Sequence, residues 1–227
     1  MADVTGDVKR RPYRSELRLE QAEQTRRQVL DAAAKLFVER GYNVTSIAAI
    51  AEEAGVSPET VYARFRNKRT LIGELMQQAV RGADPRPIPE QDAPRALAAE
   101  SDQREQLRLF ADDIVDRLER AAPLADVVAG ASRSDPELAE LYQRLHRNRL
   151  ENMTTLIDAL AANRPLRLPP EQALETVWAL TSPELHQLLV RVRGWTRDRY
   201  RDWLTDSLIA LLLADGRPRS GPRTRAH

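Results

Sequence analysis

Thr60, Tyr62, Arg64 and Lys68 stand close together in a chain of 227 residues. Two hydroxyls, a guanidinium and an ammonium at that spacing suit contact with phosphates and bases. Thr60 and Tyr62 can donate hydroxyls to phosphate oxygens, and Lys68 can neutralise a phosphate. Arg64 can pair with a guanine edge or with a phosphate. A good base contact is worth about 1–3 kcal/mol of discrimination. The residues just ahead show how these groups are held. Ser57 is a helix cap, Pro58 fits a first turn where its missing N–H is not needed, and Glu59 suits the positive end of the helix dipole. Val61 and Phe65 recur at core spacing. Pro58, Glu59, Thr60, Ala63 and Arg64 therefore face outward, with Tyr62 on the shoulder.

The flanking elements must position that short helix. Val29, Ala33, Leu36 and Phe37 mark one face of an upstream helix, and Gly41 lies where it should stop. Thr45 or Ser46 caps a second helix whose buried side is Ile47, Ile50, Ala51 and Ala54. Gly55 suits a left-handed reversal, and Val56 plugs the small core beneath. Lys68 opens a fourth helix that packs back through Leu71, Ile72, Leu75, Met76 and Ala79. Two short helices across a tight turn, with a longer one on each side, form a helix-turn-helix DNA reader.

At these residues the chain resembles the TetR family of bacterial transcription regulators. The resemblance covers 25–80 and rests on LDAAAKLFVERGYNVTSIAAIAEEAGVS, then ETVYARF and NKRTLI. It implies that Thr45, Ser46, Thr60, Tyr62 and Lys68 sit at phosphate-contacting positions. It also implies that Pro58, Glu59, Ala63 and Arg64, after the capping Ser57, sit where base readout varies among members. Members often carry Lys-Gly where this chain has Pro58-Glu59. An acidic residue there lowers affinity for phosphate unless it accepts from a cytosine amine. The operator sequence therefore does not carry over.

The rest of the chain reads as all-α. Residues 1–14 form a flexible basic arm (Lys9, Arg10, Arg11, Arg14), residues 15–80 the DNA-binding domain, and 81–100 a linker rich in proline. Residues 101–215 form a helical effector-binding and dimerisation domain, and 216–227 a disordered basic tail. Leu107, Phe110, Ala111, Ile114 and Leu118 make one helical face that Pro123 should end, with a short helix over 124–131. A long helix should start at Pro136, another at Pro170, and Pro183 should kink or restart the chain. The order of helices again resembles TetR effector domains, and WALTSPELHQLLVRVRGWTRDRYRDWLTDSL resembles an ending found in actinobacterial members. The resemblance implies a twofold dimer through the last long helices. Val177, Leu188, Val192, Leu204, Leu208, Leu211 and Leu212 offer more apolar surface than one helical layer needs, so they are the interface candidates. For an apolar effector between helices, the candidates are Phe110, Ile114, Tyr142, Leu145, His146, Met153, Trp178 and His186, the two histidines as polar anchors.

Charge and composition narrow the function classes. Net charge is only +1, but it is unevenly spread. Residues 1–80 hold 13 Lys/Arg against 11 Asp/Glu, residues 81–215 hold 18 against 23, and the tail from 216 holds four Arg and no acid. Basic ends around an acidic middle fit DNA contact at one end. With no cysteine, thiolate metal sites and thiol redox sensing are excluded. The first 24 residues lack an apolar signal core and no run approaches a spanning helix, which points to the cytoplasm and to no membrane partner. No Gly-rich phosphate loop, nucleophile elbow or metal-ligand spacing is present, so no cofactor is expected. The reading is a homodimeric repressor released from a palindromic operator in double-stranded DNA by an unidentified apolar effector. Two alternatives are a helix-turn-helix protein gated by a protein partner or by abundance, and an enzyme on a helical scaffold.

Overall fold

The computed structural model describes residues 10–214, with side chains from Arg18 onward. Ten α-helices follow one another: α1 (Arg10–Arg40), α2 (Ile47–Ala54), α3 (Pro58–Phe65), α4 (Lys68–Arg81), α5 (Asp92–Ala99), α6 (Gln103–Ala131), α7 (Pro136–Asn163), α8 (Pro170–Leu180), α9 (Pro183–Gln187) and α10 (Arg197–Leu212). Among the described residues the sole strand-like feature is a pairing of Leu166 with Leu213. The chain folds as two compact units. The first is the chain up to Ala79 together with Pro123–Tyr142; the second is Val80–Ala122 together with the chain from Gln143 onward.

In the first unit, local chemistry sets the helix ends. α1 stops at Gly41, whose φ is +88° and whose N–H donates to the Phe37 carbonyl at 2.9 Å. Ser46 caps α2 by accepting from the Ala49 N–H at 3.1 Å. α2 ends at Gly55 with φ +67°; the Gly55 N–H reaches the Glu52 carbonyl at 3.1 Å and the Val56 N–H the Ala51 carbonyl at 3.0 Å. This pair of bonds is a Schellman motif, which needs a left-handed residue at that position. Asn67 caps α4 by accepting from the Thr70 N–H at 2.8 Å. Val29, Leu36, Phe37, Ile50, Val61, Phe65, Leu71 and Ile72 are all essentially inaccessible to solvent. Each contributes about 1.5–3 kcal/mol of apolar burial. Leu124, Val128, Leu138 and Leu141, at the α6–α7 turn, are buried in the same unit.

The second unit has its own core, with Leu107, Ala111 and Val115 of α6, Met153 and Leu160 of α7, Val177 of α8 and Tyr200, Leu204 and Leu208 of α10. Gln103 fastens one corner, donating to the Leu160 and Arg164 carbonyls at 2.8 Å each.

Three sequence expectations change here. The basic arm does not run to residue 14: α1 already begins at Arg10, so Arg10, Arg11 and Arg14 are helical, while Lys9 and the tail from 216 lie outside the described residues. The stretch expected as a linker holds a 3₁₀ turn, Ile88–Glu90, and α5, because Pro94 falls in the first turn of α5, where a proline removes no helical bond. Pro123 does not end its helix; α6 runs through it to Ala131. The flanking Leu118, Ala122, Leu124 and Val128 are all buried, which outweighs one lost backbone bond. The Gln187 amide donates to the Ala122 carbonyl at 2.6 Å beside the proline. At this proline the helix passes from the second unit to the first.

Two glycines separate backbone strain from space. A Cβ on either Gly55 or Gly73 meets nothing within 4 Å. Gly55→Ala is expected to lower stability by about 1 kcal/mol through its positive φ. Gly73→Ala, inside α4, is expected to raise it by about 0.5–1 kcal/mol. Urea unfolding followed by helical circular dichroism distinguishes the two; equal shifts would remove the left-handed turn from the account.

Candidate nucleic-acid interface

α3 is short and its start is tightly specified. The Ser57 hydroxyl accepts from the Thr60 N–H at 3.3 Å and lies 3.2 Å from the Thr60 hydroxyl. Pro58 occupies the first helical turn, and Val61 and Phe65 are the buried residues of the helix. Its other faces stay accessible. Glu59, Tyr62, Ala63 and Arg64 are exposed, and Pro58 and Thr60 are half-buried. Tyr62 keeps 54% of its surface. Arg64 makes no ion pair among the described residues. The Glu59 carboxyl is held below the usual carboxylate range by its own backbone N–H and then by the Ser57 hydroxyl. This outward face therefore presents one fixed negative charge, an aromatic hydroxyl and a guanidinium.

Two expected phosphate contacts have other occupations. Thr45 is only 2% exposed, and its hydroxyl donates to the carbonyls of Gly41 at 2.7 Å and Leu36 at 3.2 Å. It ties the end of α1 to the loop that follows and offers nothing to a phosphate, which corrects the expectation from the resemblance. Its neighbour Ser46 is exposed and caps α2. The Lys68 ammonium donates to the carbonyls of Tyr42 at 2.7 Å and Thr45 at 2.9 Å, and lies 4.1 Å from the Tyr42 ring centroid. Burial lowers its pKa, against the opposing pull of Asp135. Lys68 is thus a brace across the loop between α1 and α2, with one N–H beyond those two bonds.

Sequence reasoning missed Arg66, which is exposed and has a φ of +55°. The Asn67 N–H reaches the Phe65 carbonyl at 2.5 Å, closing a tight γ-type turn around it. Nothing in an arginine announces that conformation. Also missed was the Arg69–Glu137 ion pair at 2.5 Å, which joins the start of α4 to that of α7 within the first unit. The Asn43 amide donates to the Ser134 hydroxyl at 3.3 Å in the same region.

The second unit gathers part of the expected effector set. His146 stands edge-on to Trp178 with ring centroids 5.6 Å apart, and His186 edge-on to Tyr200 at 4.9 Å. The Thr181 hydroxyl lies 3.7 Å from the Met153 sulfur. Phe110 and Met153 belong to the packed core, with Ile114 against it. Leu145 is half-buried, and Tyr142 belongs to the first unit. Burial lowers the His186 pKa, and the charge of Arg191 lowers it further.

Of the interface candidates, Val177, Leu204, Leu208 and Leu212 are fully buried within the chain's own core and have no surface to offer a second copy. Their periodicity belongs to intramolecular packing. Leu188, Val192 and Leu211 do stay exposed, at 51%, 74% and 43%. The first two lie on a π-helical turn, Leu188–Val192, that follows α9. Arg117 was not anticipated either. It is buried, and its guanidinium donates to Asp113 at 2.8 Å, to the Val80 carbonyl in the last turn of α4 at 2.7 Å, and to Gln91 at 2.9 Å.

A helix-turn-helix with an exposed reading helix, carried by an all-α chain, defines a class of DNA-binding protein. Residues 29–75 match the family model described as bacterial regulatory proteins, tetR family. The HTH-type transcriptional regulator YvkB of Bacillus subtilis, itself uncharacterized, is 43% identical over 54 residues, which is 24% of this chain and 29% of YvkB. The chain thus matches less than a third of that relative's length. Likeness in fold extends much further. The crystal structure of NalD, the secondary repressor of the MexAB-OprM multidrug efflux pump in Pseudomonas aeruginosa, has a TM-score of 0.65 and 26% identity, covering 86% of this chain and 99% of NalD. A protein of Saccharomonospora viridis described as a transcriptional regulator, in complex with choline, has a TM-score of 0.64 at 21% identity over 85% of this chain and all of the other. These findings show a TetR-type DNA-binding segment over residues 29–75 and a fold shared with solved transcription regulators over most of the chain.

Two substitutions separate reading from bracing. Lys68→Met is expected to lower stability by about 1 kcal/mol as two carbonyls lose a charged donor. Tyr62→Phe is expected to leave stability unchanged and to weaken binding to every DNA sequence by about 0.5–1.5 kcal/mol. Thermal unfolding and fluorescence anisotropy on duplex DNA test the pair. Destabilisation by Tyr62→Phe would place that ring in the core.

Proposed function

We propose that this protein is a cytoplasmic, homodimeric repressor that occupies a palindromic operator and leaves it when a small effector binds. The observation that carries the reading is the outward face of α3, where Glu59, Tyr62, Ala63 and Arg64 are exposed beside a fixed helix cap. A surface of that kind at a helix start fits the major groove. Ser46, Ser57, Thr60 and the remaining N–H of Lys68 supply sequence-independent contacts to phosphates around it. Among the described residues no helix is long and apolar enough to cross a membrane.

The dimer reading rests on Leu188, Val192 and Leu211, exposed apolar residues of the second unit. A twofold pair would set two α3 helices about 34 Å, or a multiple, apart to match two half-sites. The effector reading rests on the cluster around His146, Trp178 and His186 and on the fold shared with a choline complex. α6 and α7 each contribute residues to both units, and α4 ends on the Val80 carbonyl held by Arg117. A ligand favouring another arrangement of these helices would move the two readers off register. It can do so only as far as its affinities for the two conformers differ; a 100-fold preference supplies about 2.7 kcal/mol.

The test uses a promoter fragment found by footprinting. Wild-type protein is expected to protect two half-sites with a strong salt dependence. Val192→Glu, alone or with Leu188→Glu, is expected to give a monomer in sedimentation and to lose the two-site footprint. A charged variant that still sediments as a dimer with an unchanged footprint would remove this surface from the interface.

A further inference from the structure

The second unit holds a polar cluster around Trp178. The Arg149 guanidinium carbon lies 4.6 Å from the Trp178 ring centroid, and its Nη1 donates to the Trp178 carbonyl at 2.7 Å and the Thr181 hydroxyl at 3.3 Å. His146 flanks the same indole, its Nε2 3.5 Å from the Glu184 carboxylate, whose side chain is 49% exposed. His186 is only 6% exposed and packs edge-on against Tyr200. Two buried atoms here, Trp178 Nε1 and His186 Nδ1, have no hydrogen-bond partner among the described residues. Native proteins seldom keep such atoms unless a water, ion or ligand answers them.

The chemistry of the two atoms narrows what could answer them. An indole N–H only donates, so its partner must be an acceptor. The face of Trp178 that would attract a cationic ligand already holds the chain's own cation. Arg149 is charged at any physiological pH, and Arg191 adds positive charge near His186. Trp178 also packs on the apolar cluster that includes Met153 and Val177, so the remainder of a ligand meets hydrocarbon.

We propose that this cluster binds the carboxylate head of an apolar acid, with Trp178 Nε1 and Arg149 as its donors and His186 as a further polar contact. The proposal rests on the effector reading above and names the chemistry of the ligand.

The test uses the full chain with three kinds of probe: benzoate and decanoate, their uncharged counterparts benzyl alcohol and decanol, and choline. Calorimetry reports affinity, and anisotropy on a bound duplex reports release of DNA in the same samples. At least one carboxylate is expected to bind about tenfold or more tighter than its alcohol. Trp178→Phe keeps the ring and removes the donor; it is expected to cut carboxylate affinity about tenfold and alcohol affinity by less, because a charged acceptor gains more from the donor than a neutral one. Arg149→Gln should remove the preference for the acid, with circular dichroism confirming the fold. The proposal is overturned if no carboxylate binds, if an alcohol or choline binds as tightly, or if Trp178→Phe leaves the ratio unchanged. Release of DNA by choline or an alcohol would keep the effector reading and reject the acid. Carboxylate binding that is lost in Trp178→Phe but leaves DNA affinity unchanged would keep the acid and reject the effector reading.

Discussion

The reversal of the chain between α2 and α3 is the constraint on which the exposed face of α3 depends. A left-handed Gly55 lets the N–H groups of Gly55 and Val56 fold back on α2, and Ser57 then starts α3 with its own cap. With the start fixed, the helical period decides the rest. Val61 and Phe65 turn inward, so Tyr62, Ala63 and Arg64 must turn outward. Lys68 and Thr45 reinforce the frame from behind by satisfying four carbonyl contacts in and around the loop between α1 and α2. A positioning set built from caps and backbone bonds is stiff, which a reader of base edges requires.

Continuity of helices matters as much as the turn. α6 and α7 each run from one unit into the other, and the residues around their connection are buried in the first unit. Pro123 marks that passage without breaking α6. In the second unit, Arg117 ties the end of α4 to α6 through a buried guanidinium with three partners. A buried charge with every partner in place favours one arrangement of those elements, and losing a partner there is costly.

Most of the first unit was legible because its boundaries are written in residues with a single conformational use. Ser46, Gly55, Ser57 and Pro58 each specify a cap, a reversal or a first turn, and the structure uses them so. What escaped was tertiary. A threonine next to a capping serine reads as a second surface hydroxyl, yet Thr45 turns inward to α1. A lysine at a helix start reads as a phosphate contact, yet Lys68 finds carbonyls first. Pro123 reads as a stop, because the sequence does not show how much burial lies on both sides of it. The apolar stripe of α10 gives the same period whether it faces its own core or a second copy. Only burial separates Leu204 and Leu208 from Leu211. Arg66 carries no signal at all, since its positive φ is imposed by the junction of α3 and α4.

The proposed function requires that α3 be presented to duplex DNA. Its most direct test is selection of bound sites from a pool of random duplexes, run with the wild-type chain and with Arg64→Ala. Enrichment of an inverted repeat is expected from the wild type. Arg64→Ala is expected either to relax one base pair in each half-site or to weaken binding to all sites alike. Recovery of no motif above the starting pool, or of an identical motif at identical affinity from the variant, would contradict the proposed function.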